Sequence, residues 1–263
     1  MINDESGIQK IDVVATNRRG WNQVAACFYG AAALPQYGPL TVTEDELNLI
    51  GDVQGKSVLE LGCGSGHSLS YLAQHKRPAE LWGLDLSDQQ LVYARELLGQ
   101  HNIPVTLIQA SMHEEAGIPQ SRFDLILSLY ALGWTPDLNQ TLSLVFSYLK
   151  PGGVLIFSWE HPVYRCLDYR ADMEAYIFKE PYLCEEPEYK PSWQGVEIVQ
   201  FPRSLSTFLN AVVQAGLIIE RVVEGGPNRD RAQPQDDQPE KWYSLPRAEL
   251  MPTTLIVKAR KPT

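Results

Sequence analysis

Five short apolar runs punctuate the first 160 residues, and most are followed by a stretch with helical spacing. The run Val58-Leu59-Glu60-Leu61 reads as a short buried strand, and it breaks into Gly62, Gly64 and Gly66 before a helical pattern that starts at Ser68. Glu80–Asp85 repeats the strand signal. Ser87 then stands where it can cap a helix over Asp88–Leu98, with apolar positions at Leu91, Ala94 and Leu98. Residues 105–110 form a third candidate strand, FDLILSL at 123–129 a fourth and 154–159 a fifth. The fourth is apolar almost throughout, as a strand covered on both faces should be. A helix over 138–149 stops at Lys150-Pro151-Gly152-Gly153. This alternation predicts an α/β fold, a doubly wound and mostly parallel sheet with helices on both faces.

The flanks differ. Residues 1–20 are polar and expected to lie loosely on the surface, whereas 21–34 is an Ala-rich candidate helix. Thr43 and Glu46 form a capping-box pattern for another helix, which should end near Gly51. Residues 1–55 thus read as a helical cap segment ahead of a sheet domain over 56–263. Two insertions interrupt that domain. Residues 160–200, rich in Tyr, Glu and Pro, are expected to form a lid or a hairpin packed on the sheet edge. Residues 225–250 form the second, and 225–241 hold so few apolar side chains that they are expected to be mobile. Between the insertions, Ser204 opens a helix closed by Gly216, and Ile218–Val223 and 254–259 read as the last two strands.

Composition narrows the function classes. The chain has 263 residues, 44% hydrophobic and 21% charged, enough for one good core. A formal net charge of −10 argues against unaided binding to a nucleic-acid backbone, which needs clustered cations. Cys27, Cys63, Cys166 and Cys184 are scattered, without a zinc pattern or a disulfide framework, so no metal is expected and a reducing compartment follows. The N-terminal residues carry Asp4, Glu5 and Asp12, and no apolar run approaches the roughly 20 residues of a membrane span. The expectation is a cytoplasmic protein without membrane contact, its oligomeric state left open.

The candidate chemistry centres on the glycines. Strand, glycine turn and helix let a ligand lie against the main chain at a helix N-terminus. Dinucleotide sites use G-x-G-x-x-G, but here His67 takes the place of the third such glycine, and Glu60 precedes the first. A carboxylate there suits an ammonium group better than a pyrophosphate. Asp85, 19 residues beyond Gly66, is placed to take ribose hydroxyls.

The segments VLELGCGSG, LWGLDLS, FDLILSLYALGW and LKPGGVLIFSW together resemble the class I, Rossmann-like S-adenosylmethionine-dependent methyltransferases, small-molecule type, over about residues 56–261. The resemblance implies a seven-stranded sheet of order 3-2-1-4-5-7-6 with the last strand antiparallel, and S-adenosyl-L-methionine as cofactor with S-adenosyl-L-homocysteine as product. It implies that Glu60 reaches the methionine ammonium, that Gly62, Cys63 and Gly64 line the amino-acid moiety, and that Asp85 holds the ribose. Leu86 and Met112 would sandwich the adenine. Ser111 stands where many relatives carry Asp, so a hydroxyl or backbone contact must substitute. Ser128 would touch the cofactor through its backbone, and Tyr29 and Trp21 would close the site from the N-terminal helix.

The acceptor is expected to be a small molecule, aromatic or cationic, near Tyr130, Trp134, Glu160 and His161. His161 is the preferred general base, because imidazole titrates near neutral pH. Truncating Tyr176 and Trp193 is expected to impair acceptor turnover while sparing the cofactor. Competing readings are a nucleic-acid or protein methyltransferase and a non-catalytic binding protein. A nucleotide-dependent oxidoreductase fits least.

Overall fold

A computed structural model describes residues 12–30, 34–100 and 104–263. Helix α1 (Val13–Phe28) begins earlier than expected because Asp12 accepts a hydrogen bond from the Ala15 amide and so caps it. It stops at Phe28, short of the anticipated end, while the expected part over 31–33 lies outside the described residues, as do 1–11. The capping box at Thr43 is present, yet α2 (Glu44–Leu47) is a single turn closed by a left-handed Asn48.

The alternating part follows as expected: β1 (Ser57–Leu61), α3 (His67–His75), β2 (Glu80–Asp85), α4 (Asp88–Leu98), β3 (Val105–Gln109), β4 (Phe123–Leu129), α5 (Leu138–Tyr148) and β5 (Leu149–Glu160). Strand β5 is longer than expected at both ends. Its pairing with β4 jumps from Phe123↔Leu149 to Leu125↔Val154, so the Lys-Pro-Gly-Gly stretch bulges within the strand's start rather than preceding it.

Residues 160–200 form two antiparallel hairpins, β6 (Leu167–Arg170) with β7 (Ala175–Phe178), and β8 (Glu188–Trp193) with β9 (Val196–Gln200). Then come α6 (Leu205–Gln214), β10 (Ile218–Val223), a short α7 (Leu245–Leu250) that the sequence pattern did not announce, and β11 (Thr254–Arg260). The stretch 225–241, expected to be mobile, is held at several points. The Asn228 side-chain amide donates to Glu46 at 2.7 Å, and the Tyr176 hydroxyl donates to the Pro239 carbonyl at 2.9 Å.

The main sheet runs β10-β11-β5-β4-β1-β2-β3. The four pairings from β5 to β3 are parallel, and β11 inserts antiparallel between β5 and β10, which is the expected order with β10 and β11 as the sixth and seventh strands. Alternation divides the core in two. Leu59, Leu61, Ile126 and Phe157 pack toward α5 and α6, while Val58, Leu125, Leu127 and Ile156 pack toward α3 and α4. The carboxyl ends of the parallel strands, β1, β2 and β4 among them, converge on one edge of the sheet, as they must in such a topology. Among the described residues, no helix is long and apolar enough to cross a membrane.

Candidate functional site

A cavity of about 790 Å³ opens at that edge, lined by both the glycine turn and the elements that follow β4 and β5. At the turn, Gly62 and Gly64 adopt φ of 70° and 51°. At Gly62 a side chain is excluded twice over, since a Cβ there would stand 2.3 Å from that of Ala131. Glu60, the penultimate residue of β1, is 2% exposed. The Ser68 hydroxyl hydrogen-bonds its carboxyl, yet among the described residues Oε2 has no partner. Burial pushes this carboxyl up to about 8; the Ser68 bond opposes the rise and nearby Asp85 adds to it.

Asp85, the last residue of β2, reaches across the turn. Its Oδ2 accepts from the Gly64 amide and its Oδ1 from the Ser87 amide, both at 2.8 Å. Burial raises it to about 6 against those bonds. The Leu86 amide bonds the same carboxylate, which still has acceptor capacity left. Two acids thus face one cavity with no cation between them among the cavity's lining residues at this end.

The other end is aromatic. Trp21 of α1, Trp134 after β4 and Trp193 of β8 meet at centroid distances of 5.2–5.6 Å, and Phe28 stacks on Trp193 at 6.0 Å. Trp159 abuts Trp134 and Tyr130. Tyr130 sits at φ 53°, a left-handed backbone rare for an aromatic residue, where the chain turns off the end of β4. Glu160, at the end of β5, is 8% exposed, and its Oε2 accepts from the Trp242 indole at 2.5 Å and the Tyr243 hydroxyl at 2.9 Å. Burial raises this carboxyl too, while Lys190 on the same cavity pulls it down.

Buried guanidinium groups fix these walls. Arg247 donates to the carbonyls of Tyr164 and Leu167 at 2.6 Å and of Trp242 at 3.2 Å, with its charge 4.4 Å from the Trp242 ring. Arg203 does likewise for the carbonyls of Leu132 and Thr135, which flank Trp134.

Helix α1 and strand β9 close over the cavity as a pair. The Asn17 amide exchanges two bonds with the backbone of Val199, at 2.8 Å and 2.7 Å. At Gly20 the helix lies so near that a Cβ would stand 2.6 Å from the Glu197 carbonyl. Asn22 ties the same helix to Ser87 and Asp88 at the start of α4, and the Gly30 amide donates to His67 Nε2 at 2.7 Å.

Glu60, Gly62, Cys63, Gly64, Asp85, Leu86, Ser111 and Met112 all line the cavity, as do Trp21, Tyr130, Trp134 and Glu160. The Ser111 hydroxyl lies 2.7 Å from His113 Nδ1. Tyr29, Ser128 and His161 are not brought to it. Tyr29 follows Phe28 by one residue, a rotation of about 100° on a helix, so its ring packs outside on Tyr93 and His67 while Phe28 faces inward. Ser128 is fully buried one step below the strand's end, and Leu129 and Tyr130 meet the cavity instead.

His161, the expected base, points the other way from Glu160, as successive strand residues do. Its Nε2 lies 2.7 Å from Glu224, and its Nδ1 accepts from the Val163 amide. Tyr176 is also off the cavity, bonded to Pro239 and Ser244, so the first hairpin braces the 234–250 segment and only the second covers the site. Sequence reading missed Asn17, Lys190, Trp242 and Tyr243. The aromatic pair Trp242-Tyr243 inside an otherwise polar insertion was the available signal.

Comparison with known proteins gives a consistent picture. Residues 58–153 match a family model described as a methyltransferase domain. The chain is 28% identical over 225 residues to an uncharacterized protein of Haemophilus influenzae, covering 82% of this chain and 85% of that one. It is 32% identical over 161 residues to a fatty-acid O-methyltransferase of Mycolicibacterium smegmatis, a match spanning 57% of this chain and 58% of that protein. Among solved structures, an S-adenosylmethionine-dependent methyltransferase from Mesorhizobium loti superposes with a TM-score of 0.67 at 29% identity, covering 82% of this chain and 96% of that one.

Proposed function

We propose that this chain, whose residues 58–153 match a methyltransferase domain, is an S-adenosylmethionine-dependent methyltransferase whose cavity holds the cofactor at the glycine turn and a small aromatic acceptor at the tryptophan end. The observation that carries this reading is the unpartnered Oε2 of buried Glu60. An uncompensated buried carboxylate is costly, and a ligand ammonium placed there removes the cost. Asp85 has acceptor capacity left toward the ribose, Leu86 and Met112 offer apolar faces for a purine, and Gly62, Cys63 and Gly64 leave the main chain bare for the amino-acid portion.

The donor supplies a methyl group already activated on a sulfonium. The chain's residues therefore need to align the acceptor and exclude water more than to supply strong chemical catalysis. The cap of α1 and β8–β9 does the excluding. A small acceptor fits a covered cavity of this size, and the net charge of −10 disfavours a nucleic acid. Four free thiols, two of them exposed, fit a reducing cytoplasm.

Calorimetric titration of S-adenosylmethionine and S-adenosylhomocysteine tests the assignment. Wild type should bind both in the micromolar range. Asp85→Asn, which keeps the shape but loses the charge, should bind roughly 10- to 100-fold more weakly, the worth of one or two charge-assisted hydrogen bonds. Wild-type protein that binds neither would overturn the reading.

A further inference from the structure

We infer that Glu160 is the general base of the acceptor site and that the acceptor presents a neutral aromatic hydroxyl to its Oε1. This inference rests on the methyl-transfer reading above. Three observations carry it. Trp242 and Tyr243 both donate to Oε2, which fixes the carboxyl's orientation, while among the described residues Oε1 accepts no protein hydrogen bond. Glu160 lines the same cavity as Glu60 and Asp85 but lies among the aromatic residues, away from the glycine turn. The path between them is short in structural terms: Ala131, whose Cβ abuts Gly62, is the neighbour of Tyr130, and Tyr130 is hydrogen-bonded to Tyr243.

The acceptor class follows from charge and shape. A carboxylate acceptor would set a second negative charge against Glu160 in a water-poor site. An ammonium would need a cage, but Trp21, Trp134 and Trp193 already touch one another at 5.2–5.6 Å, leaving no room for a cation among them. Their rings meet edge-to-face, at 62–84° to one another, and a ring face left open in such a cluster suits stacking by an aromatic acceptor. A neutral hydroxyl on such a ring gives Oε1 a proton to accept. As the new oxygen–methyl bond forms, that proton passes to Oε1, and the methyl–sulfur bond breaks with its electron pair left on sulfur. Glu160 then returns the proton to solvent. Burial, which raises its basicity above that of an ordinary carboxylate, suits the role. Lys190 and Arg247 are the cations that oppose the rise, and Tyr130, Tyr164 and Tyr243 are the other titratable groups around it.

The test uses three ring probes that differ in one group, 4-methylphenol, benzylamine and 4-methylbenzoate, titrated into the S-adenosylhomocysteine complex of wild type and Glu160→Gln. Wild type should bind the phenol at least tenfold more tightly than the benzoate. In Glu160→Gln the benzoate should gain and S-adenosylmethionine affinity should stay within about threefold. Methyl transfer to the phenol, followed with labelled donor, should fall roughly 10²- to 10⁴-fold in that variant. Preference for the benzoate or the amine in wild type, binding of none of the three, or a Glu160→Gln variant with undiminished transfer would each overturn the proposal. Failure of wild type to bind the cofactor would instead overturn the reading beneath it.

Discussion

A carboxyl held near 8 by burial is mostly protonated at pH 7, and that gives Glu60 a signature independent of turnover. A ligand ammonium beside it favours the charged form, so binding should expel the proton. Calorimetric titration of S-adenosylmethionine at pH 7 in two buffers of different ionisation enthalpy should report release of close to one proton per cofactor bound. Glu60→Gln should abolish the buffer dependence. No buffer dependence in wild type would mean that the ammonium lies elsewhere. The same shift has a consequence for the free protein. A carboxyl raised from 4.5 to about 8 on folding adds stability that is fully present below pH 4.5 and is lost as pH rises through 8. Asp85, raised from 3.8 to about 6, acts in the same direction over a lower window. Cofactor should therefore stabilise the protein most at the alkaline end.

At the scale of elements, what could be read from the chain was whatever is local. Apolar runs, caps and the Gly62–Gly66 turn announce the strand–helix alternation because each signal lies within about ten residues. What could not be read was phase and long-range pairing. Whether Phe28 or Tyr29 faces the cavity depends on where α1 starts, and Asp12 rather than a residue near Trp21 sets that. Whether Glu160 or His161 does so depends on the last pairing of β5, Glu160 with Thr254, 94 residues away. The meeting of Trp21 with Trp193 has no local signal at all. The α1–β9 contact is the element-level feature most open to a test. Gly20→Ala would place a methyl 2.6 Å from the Glu197 carbonyl, and backbone cannot yield as a flexible side chain can. The expected cost is about 1–3 kcal/mol, typical of overpacking, read as a lowered midpoint in thermal or denaturant unfolding. Cofactor affinity should fall with it, because the same shift moves Asn17 and Trp21. Unchanged stability and affinity would show that α1 does not need this close approach.

At the scale of the whole molecule, the cavity lies between the sheet edge and a cap assembled from two segments far apart in the chain, α1 and β8–β9. The sheet's strands are held by continuous pairing, whereas the cap is joined to it by a few side-chain bonds: Asn22 to the start of α4, the Gly30 amide to His67, and the aromatic cluster. Elements held by few buried contacts open most easily, and a ligand bound beneath them must couple to their closing. At a hundredfold excess of S-adenosylhomocysteine over its Kd, the linkage is about 2.7 kcal/mol, which corresponds to roughly 5–10 °C in Tm for a chain of this size. Where that free energy is spent distinguishes a cap from a passive wall. If α1 and β9 close on the ligand, the exchange of the Val199 amide, which donates to Asn17, and of the Gly30 amide should slow along with that of the Gly64 amide at the turn. The expected slowing approaches 100-fold, the same 2.7 kcal/mol seen locally. Protection confined to Gly64, with Val199 and Gly30 unchanged, would mean that the cofactor binds the sheet edge alone and that the α1–β9 pair serves the acceptor or the fold instead.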